Sequence, residues 1–344
     1  MEKFRDKIFN EEVFETYRRT LESTKENSLI KNALFNVVNK YKAKMSEQSG
    51  GYAVTEPIKG RLGGDPVNYD GNTNIPKGSE RDTFYQRKIC YGRAKAWGEY
   101  DFASDITGAN FKAEAREVNE YWDEKRQSTV LSILKGIFSM TGGVNGAFVT
   151  KHTYEVSGNL TADALNRAAQ KALGDKKAKM DVIFMHSAVS TNLEGLNLID
   201  FLKYTDSDGI QKDLTIGTFN GKLVVVDDEM PSETTGEGAQ AVTTYTSYVF
   251  QKGFFEYENI GAEVPSEIAR DPYDKGGKTD LITRVREMIV PYLISYKGTG
   301  TVSPEDTDFE NGANWELVNN DKTGNAKVYV DDKLIPVARI VSQG

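Results

Sequence analysis

The chain has 344 residues, enough for about two domains, and its 38% hydrophobic and 27% charged content is that of a water-soluble folded protein. Its net charge of −8 argues against a surface built mainly to bind nucleic acid. The single cysteine, Cys90, excludes an intrachain disulfide and fits a reducing compartment; with only two histidines, His152 and His186, it leaves little material for a transition-metal site.

The N-terminus alternates charge and lacks the apolar core of a secretory signal. No run approaches the ~18 apolar residues that span a bilayer, so neither standard export nor a membrane span is expected. Val13, Phe14, Tyr17 and Leu21 recur at helical spacing, as do Ile30, Leu34, Val37, Val38 and Tyr41. They predict one or two helices over 11–45, with a start at Ser28. From 49 to 78 the chain collects Gly50, Gly51, Gly60, Gly63, Gly64, Gly71 and Gly78 with Pro57, Pro66 and Pro76. That density forbids regular helix, and its length is too great for a tight connection in a compact domain, so an extended arm is predicted. Strands follow over 83–88 and, as aromatic-rich extended chain, over 89–97. Neither has the apolar alternation to make its own core, so the arm needs a partner surface.

The clearest helix covers 110–140, with Phe111, Ala115, Val118, Trp122, Thr129, Ile133 and Ile137 on one stripe and Glu114, Glu117, Glu120 and Lys125 facing away. Its length would be roughly 45 Å, a spine rather than part of a small core. Gly142 and Gly143 end it. Residues 144–245 read as an α/β unit: a helix over 160–173 started by Asn159 or Thr161, a buried strand over 182–185, a helix over 188–204, a strand over 222–226 and a polar loop over 232–240. A long strand over 244–255 leaves this unit, and further strands are expected over 287–297, 326–330 and 336–341. No internal repeat is present.

Several motifs suggest chemistry and fail on spacing. Gly277-Lys278-Thr279 looks like the end of a phosphate loop, but the required first glycine is Pro272 and no apolar strand precedes it. Asp206-Ser207-Asp208-Gly209 looks like a calcium loop, but its first and twelfth positions would be Tyr204 and Thr215. Asp227-Asp228-Glu229 closes a strand, where α/β enzymes keep acids; adjacent acids on extended chain point opposite ways, and a strand-end turn is the better reading. His186-Ser187 lacks a nucleophile elbow. Cys90, among Arg87, Lys88 and Arg93, could have a lowered pKa, but packing is its expected role. The aromatics Tyr245, Tyr248, Phe250, Phe254, Phe255 and Tyr257 could stack on bases, but acidic Glu256 and Glu258 favour core packing.

The run 180–231, MDVIFMHSAVSTNLEGLNLIDFLKYTDSDGIQKDLTIGTFNGKLVVVDDEMP, carries a different signal. A strand ending in Met-His-Ser, a helix rich in Leu and Asn, and a G-x-x-x-G-K-x-V-x-V-D-D-x-M-P stretch (Gly217, Gly221, Lys222, Val224, Val226, Asp227, Asp228, Met230, Pro231) resemble the major capsid proteins of tailed bacteriophages. That family has the Hong Kong 97-type fold. CYGRAKAWGEYDFASDITGAN followed by a helix with Tyr121-Trp122 is similar to the end of the family's extended loop and its spine helix. YTSYVFQKGFFEYENIGAEVP, then Ile268-Ala269-Arg270-Asp271 and Asp280-Leu281-Ile282-Thr283-Arg284, resembles the return into its peripheral domain. Asn311-Gly312-Ala313-Asn314-Trp315-Glu316 and Ile335-Pro336-Val337 resemble its ending.

The resemblance implies an α+β fold with an N-terminal arm (1–49), an extended β loop (50–97), a peripheral domain with a long spine helix (98–143 and 246–344) and an axial α/β domain (144–245). It implies a non-enzymatic coat protein without cofactor or metal, self-assembling as pentamers and hexamers into an icosahedral shell around double-stranded DNA, without sequence-specific DNA binding. A separate scaffolding protein, a portal and decoration proteins are the implied partners, and the virion, assembled in the bacterial host cytoplasm, is the implied location. Two alternatives are an encapsulin-like nanocompartment shell and an α/β hydrolase built on 180–230.

In the family, the loop of one subunit lies over the peripheral domain of its neighbour. Arg87, Lys88, Arg93 and Lys95 form a basic stretch with no acid between them; Glu256, Glu258, Glu263 and Glu267 form an acidic one with no base. These eight residues are the expected inter-subunit contact. No catalytic residues are expected.

Overall fold

A computed structural model describes residues 35–42, 45, 52–63, 65–75, 81–102, 115–205, 211–236 and 241–344. The expected first helix, the start of the second (28–34) with 43 and 44, the calcium-like loop at 206–209 and the start of the spine at 110–114 lie outside them.

Two sheets organise the chain. The first is built along one long strand, β14 (Lys278–Pro291). On one edge β14 pairs antiparallel with β4 (Tyr91–Tyr100). On the other it pairs with β13 (Ser266–Asp271) over its first half and β12 (Phe255–Asn259) over its second. A short strand, β1 (Phe35–Val37), adds in parallel to β12. Helix was expected here; the register Phe35↔Phe255 to Val37↔Tyr257 shows that an open sheet edge overrides weak local periodicity.

β2 (Ala53–Lys59) and β3 (Thr83–Ile89) form a separate antiparallel ribbon, as expected of an extended loop. Cys90 divides β3 from β4, and 91–97, grouped by sequence with the loop, lies in the first sheet.

The second sheet has the order β5 (Thr153–Asn159), β17 (Val337–Gln343), β11 (Val242–Phe250), β6 (Val182–Met185), β9 (Lys222–Val226), β8 (Gln211–Phe219) and β7 (Ile199–Thr205), with β10 (Ser232–Thr235) on β11. Side-chain alternation sorts its two faces. Ile183, Met185, Val249, Ala338 and Ile340 pack with α3 (Ala162–Leu173) and α4 (Ser187–Gly195). Val182, Phe184, Tyr248, Phe250 and Val337 face the other way, into the core shared with α2 (Gly143–Lys151). Strand β6 is therefore buried on both faces, which is why it reads as an unbroken apolar run. Thr161 caps α3 by accepting from the Ala164 amide, as its sequence signal suggested.

The spine is α1 (Ala115–Ile137), 23 residues and about 35 Å long. Its first half lies on the first sheet: Trp122 Nε1 donates to Thr283 Oγ1 at 3.2 Å, and Tyr121 meets Trp97 edge-on at 5.2 Å. Its second half is buried on nearly all sides, with Val130, Ile133, Leu134 and Ile137 fully enclosed. Two glycines let the tail close over its end. A Cβ on Gly136 would lie 1.9 Å from the Phe309 carbonyl oxygen, and one on Gly312 would lie 2.0 Å from that of Ser139. Trp315 Nε1 donates to Phe309 O at 2.7 Å across this joint.

Other elements differ from expectation for local reasons. The helix expected over 188–204 stops at Gly195; Asn197 turns the chain with φ 52°, and β7 follows. The loop expected over 232–240 contains β10, paired with β11 from Ser232↔Tyr245 to Thr235↔Val242. The strand expected over 244–255 breaks after Phe250, with Gly253 at φ 74°, and resumes as β12 in the other sheet. Leu293, at φ 58°, divides the strand expected over 287–297 into β14 and β15 (Ile294–Tyr296), which pairs antiparallel with β16 (Trp315–Leu317). In place of a strand over 326–330 there is a tight turn at Gly324–Ala326 and one bridge, Tyr329 to Asn319.

Candidate assembly surface

The loop is rooted firmly and bare beyond its root. Gln86 Nε2 donates to the carbonyls of Pro291 and Ile294, both at 3.0 Å. The Tyr85 amide donates to Asn319 O at 2.8 Å, and Arg87 Nη1 to Gly298 O at 3.0 Å. Between the strands the picture reverses: the described residues from 61 to 75 are all exposed, with Leu62 77%, Tyr69 91% and Ile75 73% exposed. Asp70 shapes part of this stretch by accepting from the amides of Asn72 and Thr73 at 2.9 and 2.7 Å. Those bonds lower its carboxyl pKa to about 2.

The charged residues expected at a subunit boundary are largely used inside the subunit. Lys88 is 1% exposed, and its ammonium lies 2.7 Å from Glu56, 2.5 Å from Glu256 and 2.8 Å from the Tyr41 hydroxyl. Burial alone would lower its pKa, but the bonds to Glu256, Glu56 and Tyr41 carry it above the usual lysine value. Glu258 is buried and accepts from the backbone amides of Lys40, Tyr41 and Lys42 at 3.1, 2.9 and 2.6 Å. Arg93 pairs with Asp306 at 3.1 Å, and Glu267 with Arg284 at 3.1 Å. The basic and acidic stretches do meet, but Lys88 and Glu256 meet within one chain. As sequence neighbours of exposed loop they looked like surface charge; strand pairing turns both inward. Lys95 and Glu263 are exposed.

The remaining candidate motifs resolve into structural parts. Asp227 is buried and bonds Gln127 of the spine, while Glu229 accepts from Ser128 Oγ at 2.6 Å. These strand-end acids fasten the second sheet to α1, which adjacency in sequence gave no sign of. His186 caps α4, its Nδ1 accepting from the Ala188 amide at 3.1 Å, so that nitrogen is occupied. Cys90 is buried and its thiol pKa is pushed up to about 11 by burial, despite the cations nearby. Gly277-Lys278-Thr279 opens β14, with Lys278 bonded to Asp280 at 2.9 Å. Among the described residues, no three His, Cys, Asp or Glu side chains gather as metal ligands, and no helix is long and apolar enough to cross a membrane.

One group went unforeseen as a unit: Arg126, Glu287 and Tyr257, the last expected only to pack in the core. Arg126 Nε and Nη2 lie 2.8 and 2.6 Å from Glu287 Oε1, and the Tyr257 hydroxyl donates to the same oxygen at 3.0 Å. The i, i+4 spacing of Trp122 and Arg126 on α1, matched by Thr283 and Glu287 on one face of β14, was the available signal.

No family model matches the sequence. The chain is 30% identical over 278 residues to the major capsid protein of Bacillus phage SPP1, covering 78% of this chain and 80% of that one. Among solved structures it resembles the capsid protein of cyanophage Pam1 (TM-score 0.56, 10% identity, 94% of each chain). It also resembles those of Ralstonia phage GP4 (0.54, 10% identity, 80% of this chain and 89% of that one) and Helicobacter pylori bacteriophage KHP30 (0.52, 11% identity, all of each chain). These structural likenesses bear on fold; the sequence relationship bears on family, and neither favours a nanocompartment shell or a hydrolase. The chain belongs to the major capsid proteins of tailed bacteriophages and has their Hong Kong 97-type α+β fold.

Proposed function

We propose that the chain self-associates into pentamers and hexamers that close as an icosahedral shell around double-stranded DNA, so that its place is the virion. The observation that carries this reading is the loop. Its root is bonded to the subunit, while Leu62, Val67, Tyr69 and Ile75 beyond it are exposed. Apolar side chains presented on an anchored ribbon suit burial against a second copy. The chain acts without catalysis, and its work is to join copies of itself. The division into arm (1–49), loop (50–97), peripheral parts (98–143 and 246–344) and axial unit (144–245) follows this reading, with the C-terminal strand β17 serving the axial sheet. A separate scaffold, a portal and decoration proteins are its partners, and assembly takes place in the host cytoplasm.

Of the eight charges first expected at the boundary, Lys95 and Glu263 suit a contact between copies best, because both are exposed, whereas Glu267, also exposed, already pairs with Arg284. The test is electron microscopy and sedimentation of the purified chain, alone and with its scaffold co-expressed. Closed particles or capsomers are expected; a compact monomer under every condition overturns the proposal.

A further inference from the structure

Three segments far apart in sequence meet at one place. The arm brings 35–45, the loop brings the open ends of β2 and β3, and the first sheet brings β12 and the end of β14. They share a small core of their own. Tyr41 and Met45 come from the arm, Cys90 from the end of the loop, and Ile260, Met288 and Val290 from the sheet, with Val38 and Val54 packed against it.

Backbone pairing alone holds the arm weakly. β1 has three residues and pairs in parallel with β12, the less stable arrangement per residue. What completes its attachment is charge. Beyond β1 the chain enters a helical turn, with the Met45 amide donating to Tyr41 O at 2.9 Å. The first amides of a helical turn have no partner within it. Here those of Lys40, Tyr41 and Lys42 all donate to the buried Glu258 carboxylate, a negative group at the positive end of the turn.

The same turn presents the Tyr41 ring to the loop. The Tyr41 hydroxyl donates to Glu56 of β2 at 2.6 Å and accepts from Lys88 of β3 at 2.8 Å. Lys88 then bonds Glu56 beside it and Glu256 of the sheet, and its ammonium lies 4.8 Å from the centre of the Tyr41 ring. One buried cation thus touches all three segments, and each of its bonds is charge-assisted or supported by one that is. Releasing the arm would take the hydroxyl from Lys88 and Glu56; releasing the loop would take Lys88 from Glu256 and Tyr41.

We propose that Lys88 and Tyr41 form a joint that makes arm and loop a single conformational unit, so that ordering either one favours the other. The proposal rests on the reading above that arm and loop are the elements through which copies meet. In the unassembled subunit the joint presets both for docking. During assembly, seating the loop on a neighbour would fasten the arm without any contact to the arm itself. Coupling of this kind is reciprocal: whatever Lys88 does for the arm, the arm's own anchor does for the loop.

The experiment is hydrogen exchange on the full-length unassembled subunit, so its outcome is independent of whether shells form. Glu258→Gln weakens the arm's anchor and touches no loop residue. Lys88→Met removes the cation and touches no β1 or Glu258 contact. Tyr41→Phe removes only the bridging hydroxyl and guards against a variant that fails to fold. Glu258→Gln is expected to speed exchange at β2 and β3 as well as at Lys40–Lys42. Lys88→Met is expected to speed exchange at Lys40–Lys42 by about tenfold or more, as loss of a charge-assisted bond implies. Amides of α1 and β6 should not change. In Tyr41→Phe, the effect of Glu258→Gln on the loop should shrink. If Glu258→Gln speeds only the arm, or Lys88→Met only the loop, the two move independently and the proposal is wrong.

Discussion

Arg126 and Glu287 bind each other across the junction of the spine helix and the longest strand, with Glu287 1% and Arg126 16% exposed at the side chain. Burial alone would lower the arginine pKa; the bonds to Glu287 hold it above its usual value. Such a pair is worth little against a well-packed apolar substitute, but a half-broken one is costly. Arg126→Met should therefore destabilise the subunit by about 3–5 kcal/mol, while Arg126→Met with Glu287→Met should cost clearly less. Urea unfolding of the unassembled subunit checks this, and a double variant as weak as the sum of its parts would show the charges act separately.

Gly136→Ala should destabilise although alanine is the better helix former by about 1 kcal/mol. The new methyl would meet the Phe309 carbonyl and Trp315 Nε1, at 1.9 and 2.6 Å before any shift. Overpacking of this kind costs about 1–3 kcal/mol. Loss of the Trp315–Phe309 bond should also shift tryptophan emission. A stability gain would mean that the tail does not close on α1 as described.

Stability should fall as the medium is acidified toward pH ~5.5, and His152 is one cause. Its ring is buried, Nδ1 donates to Val337 O at 2.6 Å, and Nε2 has no hydrogen-bond partner among the described residues. Burial lowers its pKa, against the carbonyl bond and Asp332, which raise it, while Lys151 adds to the lowering. The unfolded imidazole takes its proton near ~6.5 and the folded one only at lower pH. Stability present above ~6.5 is therefore lost as pH falls through that value, until the folded pKa is reached. His152→Gln, which keeps an amide donor for Val337, should flatten the profile between about pH 7.5 and 5.5. An unchanged profile would exclude His152.

Limited trypsin should separate free from assembled loops. Lys59 and Arg61 are exposed, next to a stretch without regular structure. Cleavage there is expected in unassembled subunits and protection in shells. Equal cleavage in both states would mean the loop is not buried by a neighbour.

Much of the architecture was legible because local pattern and burial agree. The apolar run of β6, the 3.6-residue stripe of α1 with Trp122, Ile133 and Ile137, and the Thr161 cap each express a preference the fold also satisfies. The glycine- and proline-rich stretch before β3 reads as extended chain, and β2 within it is a strand. Where one short segment could serve two ends, reading failed: Phe35–Val37 has helical spacing but completes a sheet edge, and the chain after Gly195 leaves its helix for β7.

The charged residues show the same division more sharply. From sequence, Arg87 to Lys95 and Glu256 to Glu267 are two stretches of opposite sign, and their attraction is plain; which members are buried is not. Alternation along β3 and β12 and the crossing of the arm decide that Lys88, Glu256 and Glu258 face inward; Lys95 on β4 and Glu263 beyond β12 face water. The sequence alone determined the family, the spine helix and the buried strand β6, because these depend on periodicity and on neighbours along the chain. Only the tertiary structure decided which polar groups pair, including Asp227 with Gln127, Arg126 with Glu287, and Lys88 with Tyr41. Pairing depends on register and on contacts between residues far apart along the chain, and no local pattern encodes those distances.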